Sequence, residues 1–251
     1  MESVRSQQEQ LESGVMQQLE QLNAQIVQFR EIASRLEERI HLLENKQKSS
    51  LPTQQTEQES VFQGEIDIRT DAPATSWKKY PEQLIFESID ASNKTFTIFP
   101  EITHGIKQLE LSFLVIGNIC IGVKESGEKV PYTKHPYNHP YATKAAYFHK
   151  NGRLYYKEIG TEGNQIFQAN DENKIVIEVN MNTRQMHLII NNKQQPVFMS
   201  KLPDSVQFFI HMTDIREYVR ILSVKELSEP TTSSIDGEIE VKWFHLEDYL
   251  N

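Results

Sequence analysis

The stretch KIVIEVNMNTRQMHLIINN, residues 174–192, decides the fold. Lys174–Asn180 and Gln185–Asn191 are short runs of β-branched and aliphatic residues, too short for ordinary helices. Asn182-Thr183-Arg184 separates them, and Asn191-Asn192 closes the second run. Asn tolerates left-handed backbone, so both breaks are turns and the two runs pair as antiparallel strands. The same pattern spreads in both directions at intervals of about ten residues. Upstream stand LIFES (84–88), TFTIF (95–99), QLELSFLVI (108–116), ICIGV (119–123), AAYFHK (145–150) and RLYYKE (153–158). Downstream stand SVQFFIH (205–211) and YVRILSVK (218–225). Gly117-Asn118 suits a type II′ hairpin turn, and Asn151-Gly152 a type I′ turn. No helical pattern alternates with these runs, which excludes a parallel α/β sheet. The expectation is mainly β: an antiparallel two-sheet β-sandwich over residues 61–226.

The order of these segments from Leu109 to Val224 resembles a SPRY domain. Leu109-Glu110-Leu111 and Ile121-Gly122-Val123 look like its early strands, and Ala146-Tyr147-Phe148 with Asn151-Gly152 like its middle hairpin. The 174–192 stretch, then Val197-Phe198-Met199 and Leu202-Pro203, complete the order. Glu172-Asn173 stands where the family often has Gly-Asp, Asn191-Asn192 where it has Asn-Gly, and the early strand lacks the usual Trp. The resemblance covers under half of the chain. It implies a protein-interaction module that receives partner peptides on loops at one end of the sandwich.

The head of the chain has different physics. Its first 60 residues hold one aromatic, one Pro, one Gly and more than half of the glutamines. Val15, Leu19, Leu22, Ile26, Phe29, Ala33, Leu36, Ile40 and Leu43 are spaced alternately by four and three. That 3.5-residue average keeps one stripe on a partner helix, so residues 1–46 are expected to be a coiled-coil α-helix. Leu19, Leu22, Ile26, Phe29, Leu36, Ile40 and Leu43 are its expected self-association residues, with two strands favoured and a homodimer the expected state. Residues 47–60, with Pro52 among Ser, Thr and Gln, read as a flexible linker. Coiled coil, linker and SPRY in that order also resemble the C-terminal half of TRIM proteins, without RING or B-box.

The net charge is −9, of which −6 falls between Glu226 and the end. An acidic chain does not suit a phosphate-backbone binder, so nucleic acid is not an expected partner. No run is long and apolar enough for a bilayer span, and MESVRSQQEQ lacks the apolar segment of a signal peptide. One cysteine, Cys120, forbids an internal disulfide and a Cys-rich zinc framework. A cytoplasmic setting is expected, with neither membrane nor cofactor.

Catalytic signatures are few. There is no phosphate-binding loop and no G-x-S-x-G elbow. Cys120 lies between Ile119 and Ile121 and reads as a small buried residue. His135 and His139 have helical metal-ligand spacing, but a Pro follows each and pushes it out of the α region. No enzyme activity, catalytic residue or metal site is expected. Lys124–Lys144, KESGEKVPYTKHPYNHPYATK, is the longest break between strands and carries three Pro-Tyr pairs. Proline limits the entropy lost on ordering and tyrosine offers contact area. Tyr132, His135, Tyr137, His139 and Tyr141 are therefore the expected partner-binding residues. Ile159–Asn173 is a second, polar loop that could shape the rim.

Residues 227–251 read as an acidic tail or a final strand. Trp243 and Leu246, set among acids, resemble a short motif that adds a strand to ubiquitin-like proteins; Trp243 could equally cover the sandwich. The leading function is a non-enzymatic adaptor: a coiled-coil oligomer presenting a SPRY-like domain to a protein partner. A lectin-like carbohydrate-binding sandwich, with tyrosines stacking on sugar rings, is the rival. For the head, residues 1–60 alone should sediment as a dimer at tens of micromolar; a clean monomer would refute the heptad reading.

Overall fold

A computed structural model of the chain describes residues 66–81 and 84–244. The heptad stripe, the linker 47–60 and Leu246 lie outside these residues. The described strands are β1 (Asp67–Arg69), β2 (Trp77–Tyr80), β3 (Ile85–Ser88), β4 (Lys94–Ile102), β5 (Ile106–Val115), β6 (Cys120–Glu125), β7 (Ala145–His149) and β8 (Leu154–Tyr156). They continue with β9 (Ile159–Thr161), β10 (Asn170–Asn180), β11 (Gln185–Ile190), β12 (Lys193–Gln194), β13 (Val197–Ser200), β14 (Val206–Met212), β15 (Tyr218–Leu227) and β16 (Ile239–Lys242). Tyr141–Thr143 form one 3-10 turn. No described helix is long and apolar enough to cross a membrane.

The strands form two sheets. A seven-stranded sheet runs β1-β4-β14-β6-β7-β8-β9; a nine-stranded one runs β16-β13-β11-β10-β5-β15-β3-β2, with β12 beside β11. One apolar core lies between them. Phe96, Ile98, Ile121, Phe148 and Ile210 come from the first sheet; Leu109, Leu111, Ile177, Leu188 and Met199 come from the second. The 174–192 stretch is the expected antiparallel pair, in register from Ile175↔Ile190 to Asn180↔Gln185. Asn180 Oδ1 accepts from the Asn182 and Thr183 N–H groups at 3.0 and 3.3 Å, which builds the turn.

Turn chemistry departs from expectation in two places. Gly117-Asn118 is not a hairpin: it carries the chain from β5 in one sheet to β6 in the other, and Gly117 does not have positive φ. Close approach requires the glycine there. A Cβ would stand 2.6 Å from both Asp214 Cβ and Glu217 Oε1. At Asn151-Gly152 only Gly152 has positive φ, +80°, so the turn is not type I′. The His149 carbonyl accepts from Gly152 N–H, and His149 N–H donates to the Arg153 carbonyl, both at 2.9 Å. This is the longer hairpin loop that ends on a left-handed glycine. The pair with both residues left-handed is Asn191-Asn192, at φ 50° and 63° between β11 and β12.

The C-terminal region corrects the purely antiparallel expectation. After β15 the chain returns as a strap and adds β16 parallel to β13, from Val197↔Ile239 to Ser200↔Lys242. A parallel partner needs a crossover rather than a hairpin, and residues 228–238 provide it. Glu178, fully buried on β10, holds this strap. Its Oε2 accepts from Thr231 N–H (3.0 Å) and Oγ1 (2.5 Å), and its Oε1 from Thr232 N–H (3.3 Å) and Oγ1 (2.6 Å). Beyond β16, Trp243 is 1% exposed and lies 5.0 Å from Tyr156, ring centre to ring centre. Docking through Trp243 is therefore corrected: its ring belongs to the core and is not presented to a partner. Trp243→Ala should cost about 3–5 kcal/mol of unfolding free energy. Urea denaturation measures this, and a loss under about 1 kcal/mol would contradict the assignment of Trp243 to the core.

Candidate functional site

Successive strand residues face opposite sides of a sheet. In β6, β7 and β14 the core takes Ile121, Val123, Ala146, Phe148, Phe208 and Ile210. The intervening positions Cys120, Ala145, Tyr147 and Phe209 form a second apolar cluster, joined by Tyr155, on the outer face. The loop 126–144 covers this cluster. His135 packs edge-on against Tyr147 (6.0 Å) and His211 (4.5 Å), and Tyr137 edge-on against Tyr155 (5.8 Å). Tyr147 and Tyr155 stack on each other at 5.4 Å. Tyr137 also donates its hydroxyl to the Glu158 carbonyl at 2.9 Å, just before the edge strand β9.

Hydrogen bonds pin the loop. Thr133 N–H donates to the Asn93 carbonyl (2.9 Å), and Asn93 Nδ2 donates to the Thr133 carbonyl (3.2 Å). Asn93 Oδ1 faces His211 Nε2 at 3.2 Å, and Thr95 Oγ1 faces His211 Nδ1 at 2.8 Å. The amide oxygen only accepts, so Nε2 carries the proton and Nδ1 accepts from the Thr95 hydroxyl. His135 Nδ1 accepts the Tyr137 N–H at 3.0 Å. Burial, then the neighbouring His149, push the His135 imidazole down to about 4. Burial also holds His211 well below its usual range, assisted by His135 and Lys94. At neutral pH the patch is an uncharged aromatic layer.

The expected partner-binding residues are distributed unevenly. His135 and Tyr137 lie on the aromatic layer, and Tyr137 remains 38% exposed. Tyr132 is half-buried and turned toward Asp90, at 3.5 Å. His139 is exposed, and Tyr141, half-buried, opens the 3-10 turn. Among the described residues no group of three or more His, Cys, Asp or Glu is placed to hold a metal ion. Cys120 is fully buried, and burial pushes its thiol up, away from the thiolate a nucleophile requires. The expected rim loop 159–173 instead contributes β9 and the first residues of β10, leaving only 162–169 irregular.

Sequence reading missed Tyr147, Tyr155, His211 and Gln207, and it placed Lys124 in the loop rather than on β6. A signal was present: in AAYFHK and RLYYKE, tyrosine and histidine alternate with the apolar residues that enter the core. Lys124, Gln207, Thr95 and Thr97 line a groove of about 550 Å³ on this same outer face, beside the loop's first arm.

No protein-family model matches the chain, and no curated protein matches it. Among solved structures, the chain is similar to the SPRY domain of human HERC1, at 12% identity over 66% of this chain and 100% of that one, with a TM-score of 0.48. It is similar to a human SPRY domain at 14% identity, over 62% of this chain and 96% of that one, with a TM-score of 0.46. It is also similar to the TRIM65 PSpry domain at 6% identity, over 62% and 90%, with a TM-score of 0.48.

The titrating groups predict opposite pH limbs. His135 is held neutral in the fold, so the unfolded chain takes up its proton first. Its contribution is lost as pH falls below 6.5 and through about 4. Burial raises the Glu217 carboxyl from 4.5 to about 7, so its contribution is complete below 4.5 and lost as pH rises through about 7. In thermal denaturation across this range, His135→Phe should flatten the acid limb and Glu217→Gln the upper one. Limbs unchanged in the variants would refute the assignment.

Proposed function

We propose that this chain is a non-enzymatic interaction protein. Its SPRY-like sandwich holds an extended segment of a protein partner against the outer face that the 126–144 loop builds. The observation that carries this reading is Tyr137: packed edge-on against Tyr155, tied to the Glu158 carbonyl, yet 38% exposed. A pre-ordered aromatic presents contact area without a further ordering cost. Ile159, 69% exposed in the edge strand β9, extends this apolar surface one residue beyond the Glu158 anchor. The order of SPRY-like motifs supports the family reading, because they fall in sequence on β5, β6, β7, β10, β11 and β13.

The heptad residues Leu19 to Leu43 supply self-association, and the segment 47–60 supplies reach. Two sandwiches on one coil double the local concentration of a weak site and raise avidity. The setting is cytoplasmic. The lectin-like alternative gains no support from the aromatic faces. Tyr147 and Tyr155 cover each other, and Arg69 lies over Phe99 at 4.1 Å.

Proximity labelling with the full chain identifies partners, and purified binding measurements test them. Tyr137→Ala with Tyr141→Ala should weaken a direct partner by about tenfold or more, equivalent to about 1.4 kcal/mol, in a chain that still unfolds cooperatively, its midpoint lowered only by the lost Tyr137 ring and hydroxyl contacts. Undiminished binding by the double variant would refute the loop surface.

A further inference from the structure

The groove beside the loop contains a buried cation with no counter-charge. Lys124 is 3% exposed, and its amine donates to the Glu128 carbonyl (2.6 Å) and Gln207 Oε1 (2.9 Å). Both acceptors are neutral. Among the described residues no carboxylate stands within ion-pair distance of it. Glu125 is paired with Lys144, and the Glu128 carboxylate acts on Lys124 only from farther away. Desolvation without a paired anion lowers the Lys124 amine to about 8. An unpaired buried charge is costly, and an incoming anion would relieve that cost.

The other donors point the same way. Gln207 Oε1 is occupied by Lys124 and, at 3.4 Å, by Gly127 N–H, while its Nε2 donates to nothing among the described residues. The floor of the groove thus offers two N–H sources, one charged and one neutral, with Thr97 beside them. The charge around it is balanced: Arg69, Lys124 and Lys129 against Asp71, Glu101 and Glu128. Arg69 is already held by Asp67 and stacked on Phe99. A dianion would meet three carboxylates against two cations without an ion pair, the exposed Lys129 and the buried Lys124, whereas a single carboxylate matches the one cation that is buried.

We propose that this groove receives one carboxylate from an acidic side chain of the partner segment, bound by Lys124 Nζ and Gln207 Nε2. The inference rests on the interaction reading above and names the chemistry of what binds there. Aromatic anchoring at Tyr137 and carboxylate capture at Lys124 would then act on two parts of one extended peptide.

The test needs no partner. The full chain, labelled with ¹³C at lysine, is titrated with N-acetyl-aspartate methylamide, its neutral asparagine counterpart, and N-acetyl-phosphoserine methylamide. The aspartyl probe should produce a saturable shift of Lys124 and raise its titration midpoint from about 8 by roughly one unit. The asparagine probe should leave Lys124 unmoved, and the dianion should bind more weakly. Gln207→Glu keeps the acceptor for Lys124 and installs a carboxylate. It should raise the Lys124 midpoint without any probe and abolish the aspartyl response. An unmoved Lys124, an equal response to asparagine or phosphoserine, or a Gln207→Glu chain that still takes the probe would each overturn the proposal. If the probe fails while Tyr137→Ala still loses a purified partner, the carboxylate site falls and the interaction reading stands. If the probe binds while the tyrosine variants retain the partner, the site stands and the loop surface falls.

Discussion

Burial on both faces of β6, β7 and β14 is the constraint on which the rest depends. A sheet in a sandwich ordinarily buries one face and wets the other, so its strands alternate. Here every residue of β14 is buried, as are the first five of β6. One face feeds the core between the sheets. The other, with Cys120, Tyr147 and Phe209, would be an open apolar patch if nothing covered it. The 126–144 loop is that cover, which explains why a segment without strand structure is nonetheless ordered. Its His135 and Tyr137 complete an aromatic layer that β7, β8 and β14 begin.

The nine-stranded sheet applies the same constraint with polar means. Its central strand β10 sends Glu178 to the outer face, and a buried carboxylate must be satisfied by donors. Four come from Thr231 and Thr232, a fifth from Gln108 Nε2 at 2.8 Å. Hydrogen bonds to the charged form, outweighing burial, hold the Glu178 carboxyl below its usual range. The strap that supplies the donors also fixes the direction in which β16 meets β13. A side chain on the middle strand therefore determines how the last strand joins the edge.

Much of the fold was legible because period-two runs and Asn-rich breaks are local signals. The runs at 108–116, 145–150, 174–180 and 205–211 all lie on strands. What escaped was set at a distance. Gly117-Asn118 has hairpin composition, yet the identity of the sheet that each neighbouring run joins is not written in those two residues. Contact with Asp214 and Glu217, about a hundred positions later, explains the glycine. β16 carries only four residues, two of them charged, and its pairing depends on Glu178 sixty residues earlier. Of the site, the loop was legible from its Pro-Tyr pairs. The surface beneath it was legible only in part: tyrosine and histidine alternate with core residues at 145–150 and 153–158, but His211 sits inside a run that reads as plain core.

Ordering separates the tyrosines of the loop into two kinds, and this bears on how such a surface would recognise anything. Tyr137 is fixed at ring and hydroxyl, so contact with it demands a matching shape and loses little entropy. Among the described residues Tyr132 has one long hydrogen bond, to Asp90, and His139 is exposed without a ring partner. Rigid contacts discriminate, whereas mobile ones adapt at an entropic cost for each side chain immobilised. On the proposed reading, specificity on this face would be concentrated where the loop is tied to the sheet, at Tyr137 and the neighbouring β9 edge. The tip around His139 would contribute area rather than choice.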